Sequence, residues 1–191
     1  DVATLNVTGG TGVDNIILTG AQVKSGTIAL GTGTDSVNFD QIISATSASD
    51  AAGVVINLGS TAYKIDAGET YETSVAAGHA VEYNAAAGAT AKKLVTDGFD
   101  LTLSGVEKVT GTANADIIIA NAAGSTITGG AGADTIISGA GADTIVIGNT
   151  DSGITLATAD TIIGFVSGTD KLSLGVAGDA TPVTGNYKTA D

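Results

Sequence analysis

A pattern of glycine, acidic and apolar positions repeats every nine residues between Gly111 and Val146. Four units follow one another without gaps, and they read GTANADIII, ANAAGSTIT, GGAGADTII and SGAGADTIV. Their eighth position always holds isoleucine, at Ile118, Ile127, Ile136 and Ile145. Their sixth position holds a short polar residue, at Asp116, Ser125, Asp134 and Asp143. Two related units, GGTGVDNII from Gly9 and LGTGTDSVN from Leu30, put Asp14 and Asp35 at the sixth position.

This period predicts short strands joined by glycine-rich turns. The first six residues of a unit form a turn whose backbone needs conformations closed to residues with a Cβ. The last three form a strand whose eighth-position side chain points inward. One unit cannot bury its apolar face alone, so two units make a coil of about 18 residues and successive coils stack with parallel strands. We therefore expect Asp116 to stack over Asp134, and Ser125 over Asp143.

The chain as a whole is predicted to be all-β, a parallel β-roll with a β-rich insertion. Alternating patterns predict strands within 54–58, 63–75 and 81–83, with Tyr63, Tyr71 and Tyr83 either in a core, which we favour, or at an interface. A short helix is expected over 85–95, with Asn84 as its cap. The expected segments are an N-terminal roll segment (1–45), a β-rich insertion or capping segment (46–103), a C-terminal roll (104–175) and a tail (176–191).

Charge and composition exclude several classes of partner. The chain has 20 acidic residues against seven basic ones, all lysine, and a net charge of −13. Such a charge argues against nucleic acid as a partner, because phosphate binding needs clustered Lys or Arg. Membrane insertion is not expected either, because no apolar run approaches the roughly 20 residues of a bilayer span. Cysteine is absent, so no disulfide or thiolate metal site can form. The chain begins without a signal-peptide pattern or an initiator methionine, and we interpret it as a fragment of a longer protein.

No set of catalytic residues is apparent in the sequence. It contains no HExxH, GxSxG or GxxxxGK[ST] motif. His79 is the single histidine, and we expect it to be exposed or hydrogen-bonded rather than a metal ligand. We therefore predict that the chain is not an enzyme and has no small-molecule substrate.

The units GGAGADTII and SGAGADTIV resemble the motif GGxGxDxUx of the RTX (repeats-in-toxin, haemolysin-type) calcium-binding proteins. The resemblance covers about 104–175 well and 5–45 less closely. It implies a parallel β-roll with several Ca²⁺ ions held between stacked turns by aspartate carboxylates and glycine carbonyls, which are the oxygen ligands that Ca²⁺ prefers. The ligands that the resemblance implies are Asp14, Asp35, Gly111, Asp116, Gly129, Asp134, Asp143, Asp151 and Asp160.

Some positions depart from the repeat. Ser125 replaces an aspartate, and Glu107, 18 residues earlier, is either a ligand or a capping residue. The period also slips downstream, where Asp151 follows Asp134 by 17 residues. A competing interpretation is that the sixth-position aspartates only form turns.

The resemblance to RTX proteins favours a calcium-binding structural segment of a secreted bacterial surface-layer protein. In this hypothesis a type I system exports the chain to the cell surface, where Ca²⁺ drives folding and self-association into a two-dimensional lattice. Two alternatives stay open. One is the C-terminal secretion and folding module of a type I secreted enzyme, and the other is a repeat of a large RTX adhesin.

Overall fold

The structure is a computed structural model of the 191-residue chain. It describes residues 3–19, 23–42, 52–65, 74–84, 93–94, 98–148, 151–153, 155 and 158–175. These residues form short strands and no helix, so within them no helix of the length and hydropathy of a membrane span is present. The prediction of an all-β chain is confirmed.

The strands are two to seven residues long, as expected for units that alternate between turn and strand. In chain order they are β1 (Ala3–Thr8), β2 (Asn15–Ile17), β3 (Val23–Ala29), β4 (Ser36–Asn38), β5 (Ala52–Asn57), β6 (Tyr63–Lys64), β7 (Ser74–Val75), β8 (His79–Asn84), β9 (Lys93–Leu94), β10 (Asp100–Ser104), β11 (Lys108–Thr110), β12 (Ile117–Ile119), β13 (Thr126–Thr128), β14 (Thr135–Ile137), β15 (Thr144–Ile147), β16 (Thr161–Ile163) and β17 (Lys171–Leu174).

Two facing sheets build the roll. Sheet A has the strand order β1-β3-β10-β8-β5-β12-β14-β16, with β9 beside β8, and sheet B has the order β2-β4-β11-β13-β15-β17. From β1 to β4, and again from β10 to β17, successive strands alternate between the two sheets. All neighbours in sheet B are parallel, and β12, β14 and β16 are parallel in sheet A. This arrangement is the predicted parallel β-roll.

An antiparallel pair of strands interrupts sheet A but not sheet B. Strands β5 and β8 pair antiparallel and lie between β10 and β12, whereas β11 and β13 are direct neighbours in sheet B. Sheet A is therefore wider here by two strands, about 10 Å at the usual spacing. Strand β10 pairs parallel with β3 and so continues the roll.

The described strands test the local predictions for the middle of the chain. Strands β5 and β8 confirm the strands expected within 54–58 and 81–83, and β6 pairs with β7 at the two ends of 63–75. The expected helix over 85–95 is wrong where the chain is described, because Lys93 and Leu94 form β9 against β8. The other residues of that predicted helix lie outside the described part.

The core lies between the two sheets. The eighth-position residues Ile118, Ile127, Ile136 and Ile145 are all 0% exposed, as the nine-residue period predicts. A second apolar cluster covers the opposite face of sheet A beneath β6 and β7, and it includes Val55, Val81 and Tyr83. Tyr63 packs against this cluster, so the core assignment is confirmed for both tyrosines, while Tyr71 lies outside the described residues.

Candidate metal centre

One row of aspartates precedes the strands of sheet A. The amide of Asp116 donates a 2.9 Å hydrogen bond to Oδ1 of Asp134, and the amide of Asp134 donates one of 3.0 Å to Oδ1 of Asp160. Asp116 stacks over Asp134 as the 18-residue spacing predicts. The next member follows after 26 residues, because the segment between β15 and β16 is longer than a standard turn. Ahead of Asp116 the row continues with Val54, whose amide donates to Oδ1 of Asp116 at 2.7 Å.

A second row precedes the strands of sheet B, and it has two parts. In the first, the amide of Asp14 donates to Oδ1 of Asp35 at 2.8 Å, and the amide of Asp35 donates to Oε2 of Glu107 at 2.9 Å. In the second, the amide of Ser125 donates to Oδ1 of Asp143 at 2.7 Å. Between the parts the pattern changes, because the amide of Glu107 donates to the main-chain oxygen of Asp35.

Asp170 ends the second row, although the sequence analysis did not include it. The amide of Asp143 donates to Oδ1 of Asp170 at 3.0 Å, 27 residues along the chain. Leu172 pairs in register with Ile145, so Asp170 has the same offset from an inward-facing residue as the other sixth-position aspartates. In the sequence, an aspartate two residues before an inward-facing apolar residue was the signal that could have identified Asp170. Glu107, left open between ligand and cap, holds the corresponding position in the first part of the row.

Several of these carboxylates also close their own turn. The second oxygen accepts the amide four residues earlier in Asp14 (from Gly10, 3.2 Å), Asp116 (from Thr112, 2.5 Å), Asp143 (from Gly139, 2.8 Å) and Asp170 (from Val166, 2.8 Å). This is the turn-forming role typical of aspartate. In Asp116, Asp143 and Asp170 both carboxylate oxygens therefore accept main-chain amides, and a cation would have to share these oxygens.

Three carboxylates lack this second hydrogen bond. The Oδ2 atoms of Asp35, Asp134 and Asp160 are buried and have no hydrogen-bond partner among the described residues. Four residues before Asp35 and Asp134 stand Gly31 and Gly130, with φ of +90° and +104°. In the turns that do close, the donor amide belongs to a residue without positive φ. In these two turns a glycine with left-handed backbone therefore accompanies the unpaired carboxylate oxygen.

Burial raises the pKa of three aspartates in the row in front of sheet A. It raises the pKa of Asp116 to about 7. It raises the pKa of Asp134 to about 8, with a further contribution from the negative charges of Asp116, Asp160 and Asp151. The pKa of Asp160 is also raised, first by burial and then by the charge of Asp151. A proton or a cation would relieve both effects.

The predicted glycine ligands lie directly against the row in front of sheet A. A Cβ on Gly111 would overlap the Oδ2 atom of Asp116, and one on Gly129 would overlap that of Asp134. Asp151 is placed by its own turn, in which its Oδ2 accepts the amide of Gly148 at 2.7 Å. The neighbouring Ser152 accepts the amide of Asp160 at 2.9 Å, which brings this segment to the same edge.

The donor set fits a hard cation such as Ca²⁺. Buried oxygens without a partner need a positive partner, and carboxylates with main-chain carbonyls are the ligands that Ca²⁺ takes. Within the described ranges, no group of three or more His, Cys, Asp or Glu side chains could by itself hold a metal ion. A cation at Asp134 and Asp160 would therefore need main-chain oxygens as additional ligands.

His79 lies apart from both rows. Its Nδ1 is 2.7 Å from Oδ1 of Asp100, across the pair β8 and β10. This contact agrees with the expectation of a hydrogen-bonded histidine.

Comparison with known proteins assigns the central repeats. A search of curated proteins found no match to the chain. The family model of the RTX calcium-binding nonapeptide repeat (4 copies) matches residues 110–145, the segment that carries Asp116, Ser125, Asp134 and Asp143. RTX repeats bind Ca²⁺ and typically occur in secreted proteins. Residues 110–145 are thus similar to the RTX calcium-binding nonapeptide repeats, here stacked as coils of a parallel β-roll.

Proposed function

We propose that the chain is a calcium-binding structural segment whose roll is completed by Ca²⁺. The observation that carries this proposal is the pair of buried, unpartnered Oδ2 atoms of Asp134 and Asp160, which belong to adjacent members of one row. Asp134 has 1% of its surface exposed, so water cannot replace the missing partner at low cost.

Electrostatics supports a cation rather than a neutral partner. After burial, the negative charges of Asp116, Asp160 and Asp151 further raise the pKa of Asp134, and the chain as a whole carries a net charge of −13. Repulsion between such groups is strong where burial excludes water, and a divalent ion both neutralises and links them. Ca²⁺ suits the site better than Mg²⁺, because it accepts six to eight oxygen ligands in irregular geometry.

The residues divide into two candidate sites. Asp134 and Asp160 would hold an ion in front of sheet A, with Asp151 and turn carbonyls completing the ligand set. Asp35 would hold another in front of sheet B, between Asp14 and Glu107. The other predicted ligands, Asp14, Asp116 and Asp143, would contribute oxygens that already accept amides.

Calcium dependence would couple folding to export. Calcium is scarce in the cytosol and plentiful outside the cell, so the chain would stay loosely folded before secretion and fold afterwards. A ligand that binds only the folded state stabilises it by RT ln(1 + [L]/Kd), about 2.7 kcal/mol at 100 Kd.

Within this function we propose a place in a bacterial surface layer. The outward positions of the central strands are neutral, as at Thr126, Thr128, Thr135 and Thr144, and the acidic groups lie in the turns. Neutral faces allow contact between copies, while the acidic turns repel one another until cations bind. The sequence contains no catalytic motif that would favour the alternative, a module of a secreted enzyme.

Circular dichroism and isothermal titration calorimetry test the calcium proposal. We expect Ca²⁺ to raise the β content and the melting temperature, and we expect equimolar Mg²⁺ to have a much smaller effect. Equal spectra and melting temperatures in Ca²⁺ and in chelator would contradict the proposal. Electron microscopy of the Ca²⁺-bound chain tests the lattice, which should appear as ordered sheets that chelator disperses.

A further inference from the structure

The inserted strands β5 and β8 split one stack of turns. Strands β10 and β12 lead into the turns 105–107 and 120–125, and these two strands are three positions apart in sheet A. Strands β11 and β13 leave the same turns as direct neighbours in sheet B. At the usual strand spacing the two turns are therefore about 14 Å apart where they begin and about 5 Å apart where they end. We call the gap between them the split.

Elsewhere in front of sheet B, successive turns touch through a glycine. A Cβ on Gly31 would overlap the carbonyl oxygen of Gly10, and one on Gly105 would overlap that of Gly31. A Cβ on Gly139 would likewise overlap the carbonyl oxygen of Asn121. The split instead contains a hollow of about 130 Å³. The two turns that border it are therefore not packed backbone against backbone.

The row of carboxylates in front of sheet B is also interrupted at the split. Within each part of this row an amide donates to the carboxylate of the next member, as from Asp14 to Asp35 and from Ser125 to Asp143. The amide of Glu107 donates instead to the main-chain oxygen of Asp35, on the side away from the split. Oε2 of Glu107 accepts the amide of Asp35 on that same side. The usual link from amide to side chain therefore does not cross the split.

Asn121 supplies a different link across the split. Its Nδ2 donates a 3.2 Å hydrogen bond to the main-chain oxygen of Val106 in the other turn. Its Oδ1 accepts the amide of Ala123 at 2.8 Å, and its own amide donates to Oγ of Ser125 at 3.0 Å. The bond to Ala123 fixes which end of the side-chain amide faces Val106, because only the nitrogen can donate.

The turn that carries Asn121 has no charge. Residues 120–125 read ANAAGS, and Ser125 stands where the other turns in front of sheet B have an acidic residue. Ca²⁺ takes about six to eight oxygen ligands, and its affinity depends on how many of them are charged. The hollow has one charged lining residue, Glu107. Within the described range 98–128, no buried side-chain oxygen or nitrogen lacks a hydrogen-bond partner. The split therefore offers a cation little charge and no unsatisfied buried side chain.

We propose that the split holds without a cation, because the Asn121 side chain takes the place that an ion has between two stacked turns. A carbonyl oxygen such as that of Val106 can be satisfied by a hydrogen-bond donor or by a cation. The donor is part of the chain, so it is present at any calcium concentration. The turns at the split should therefore keep their order when calcium is removed. The contrast with Asp134 and Asp160, which should lose order, rests on the proposed calcium function.

Amide hydrogen exchange followed by NMR, in Ca²⁺ and in chelator, measures both regions in one sample. The amides of Ala123 and Thr126 report on the split, because they donate to Oδ1 of Asn121 and to the main-chain oxygen of the other turn. The amides of Asp134 and Thr161 report on the pair with unpaired oxygens. Chelator should lower the protection of Asp134 and Thr161 by at least about tenfold, because the bound ion is lost. It should leave the protection of Ala123 and Thr126 unchanged.

One substitution and a matched control test the role of the side-chain donor. Asn121→Asp keeps the side-chain oxygens, but as a carboxylate it cannot donate to Val106, and it places a charge in the split. In chelator the protection of Thr126 should fall about tenfold in this variant. Ca²⁺ should restore the protection, because the altered joint now needs a cation. Asn38→Ala is the control, since the Asn38 side chain caps its own turn by accepting the amide of Asp40 at 2.7 Å.

Several results overturn the proposal. Equal loss of protection at the split and at Asp134 in chelator would show that the split also depends on calcium. Fewer bound Ca²⁺ ions in a folded Asn121→Ala variant, measured by calorimetry, would place an ion in the split. A loss in Asn121→Asp that Ca²⁺ does not restore would leave Asn121 an ordinary turn residue. The calcium proposal fails on a different result, namely equal protection of Asp134 and Thr161 with and without Ca²⁺.

Discussion

Asp134 and Asp143 occupy the same position in consecutive repeats, yet their carboxylates are bonded differently. Asp143 accepts an amide on each oxygen, from Ser125 and from Gly139. Asp134 accepts one from Asp116 and keeps a buried oxygen without a partner. The two positions are therefore chemically unequal, and Asp134 is the residue with more to gain from a cation.

Replacing each of these two aspartates should separate metal binding from turn structure. Asp134→Asn should lower the Ca²⁺ stoichiometry measured by calorimetry. It should leave the melting temperature in chelator unchanged or higher, because the carboxyl group, whose charged form burial disfavours, is replaced by a neutral amide. Asp143→Asn should lower the melting temperature in chelator, because an amide nitrogen cannot accept the hydrogen bond from Gly139. Equal effects of the two substitutions in both assays would contradict the assignment, and His79→Ala should leave the stoichiometry unchanged.

The stability of the cation-free chain should depend on pH near neutrality. The folded-state pKa values of Asp116 and Asp134 are about 7 and about 8, above the ordinary value of 3.8. The folded state therefore holds these protons more tightly than the unfolded state. This contribution to stability is fully present below about pH 4 and is lost as the pH rises towards 8.

Denaturant unfolding in chelator at pH 5.5 and pH 8.5, conditions chosen as approximate brackets of these pKa values, measures this effect. The unfolding midpoint should be lower at the higher pH. Ca²⁺ should remove or reverse the difference, because it competes with the protons for the same oxygens. The double variant Asp116→Asn with Asp134→Asn should show a flatter profile, and an unchanged profile would show that other groups control it.

A core substitution should destabilise the roll whether or not calcium is bound. Ile136 is fully buried between the sheets, so Ile136→Ala should lower the free energy of unfolding by about 2–5 kcal/mol. Ile163→Ala, at an exposed position one strand away, should cost less than about 1 kcal/mol. Chemical denaturation in saturating Ca²⁺ compares the two, and similar losses would contradict the placement of Ile136 in the core and of Ile163 at the surface.

The stacked turns should not tolerate a side chain at Gly130. Its φ is +104°, and a Cβ there would overlap the carbonyl oxygen of Thr112 in the preceding coil. Gly130→Ala should therefore cost about 1–3 kcal/mol for the backbone conformation alone, with the overlap in addition. Gly12→Ala is the control, because open space surrounds that position. Thermal melts in Ca²⁺ should show a large loss for Gly130→Ala and a small one for Gly12→Ala.

Much of the roll could be predicted from the repeat. The nine-residue period correctly places Ile127, Ile136 and Ile145 in the core and stacks Asp116 over Asp134. Such inferences succeed because each unit repeats the same turn and strand, so its neighbours one coil away are set by spacing alone. The expected helix was wrong at Lys93 and Leu94, because their pairing with β8 depends on a partner that the local pattern does not contain.

The sequence by itself determined the period, the inward isoleucines and the residue types that could bind a cation. Only the tertiary structure decided that Val54 stands ahead of Asp116, that Asp160 follows Asp134, and that Asp170 follows Asp143. These neighbours are brought together by inserted segments of irregular length, whose paths no repeat specifies. The tertiary structure also decided which carboxylates keep an unpaired oxygen. A hydrogen bond to that oxygen depends on where the amide four residues earlier points, and residue type alone does not set that direction.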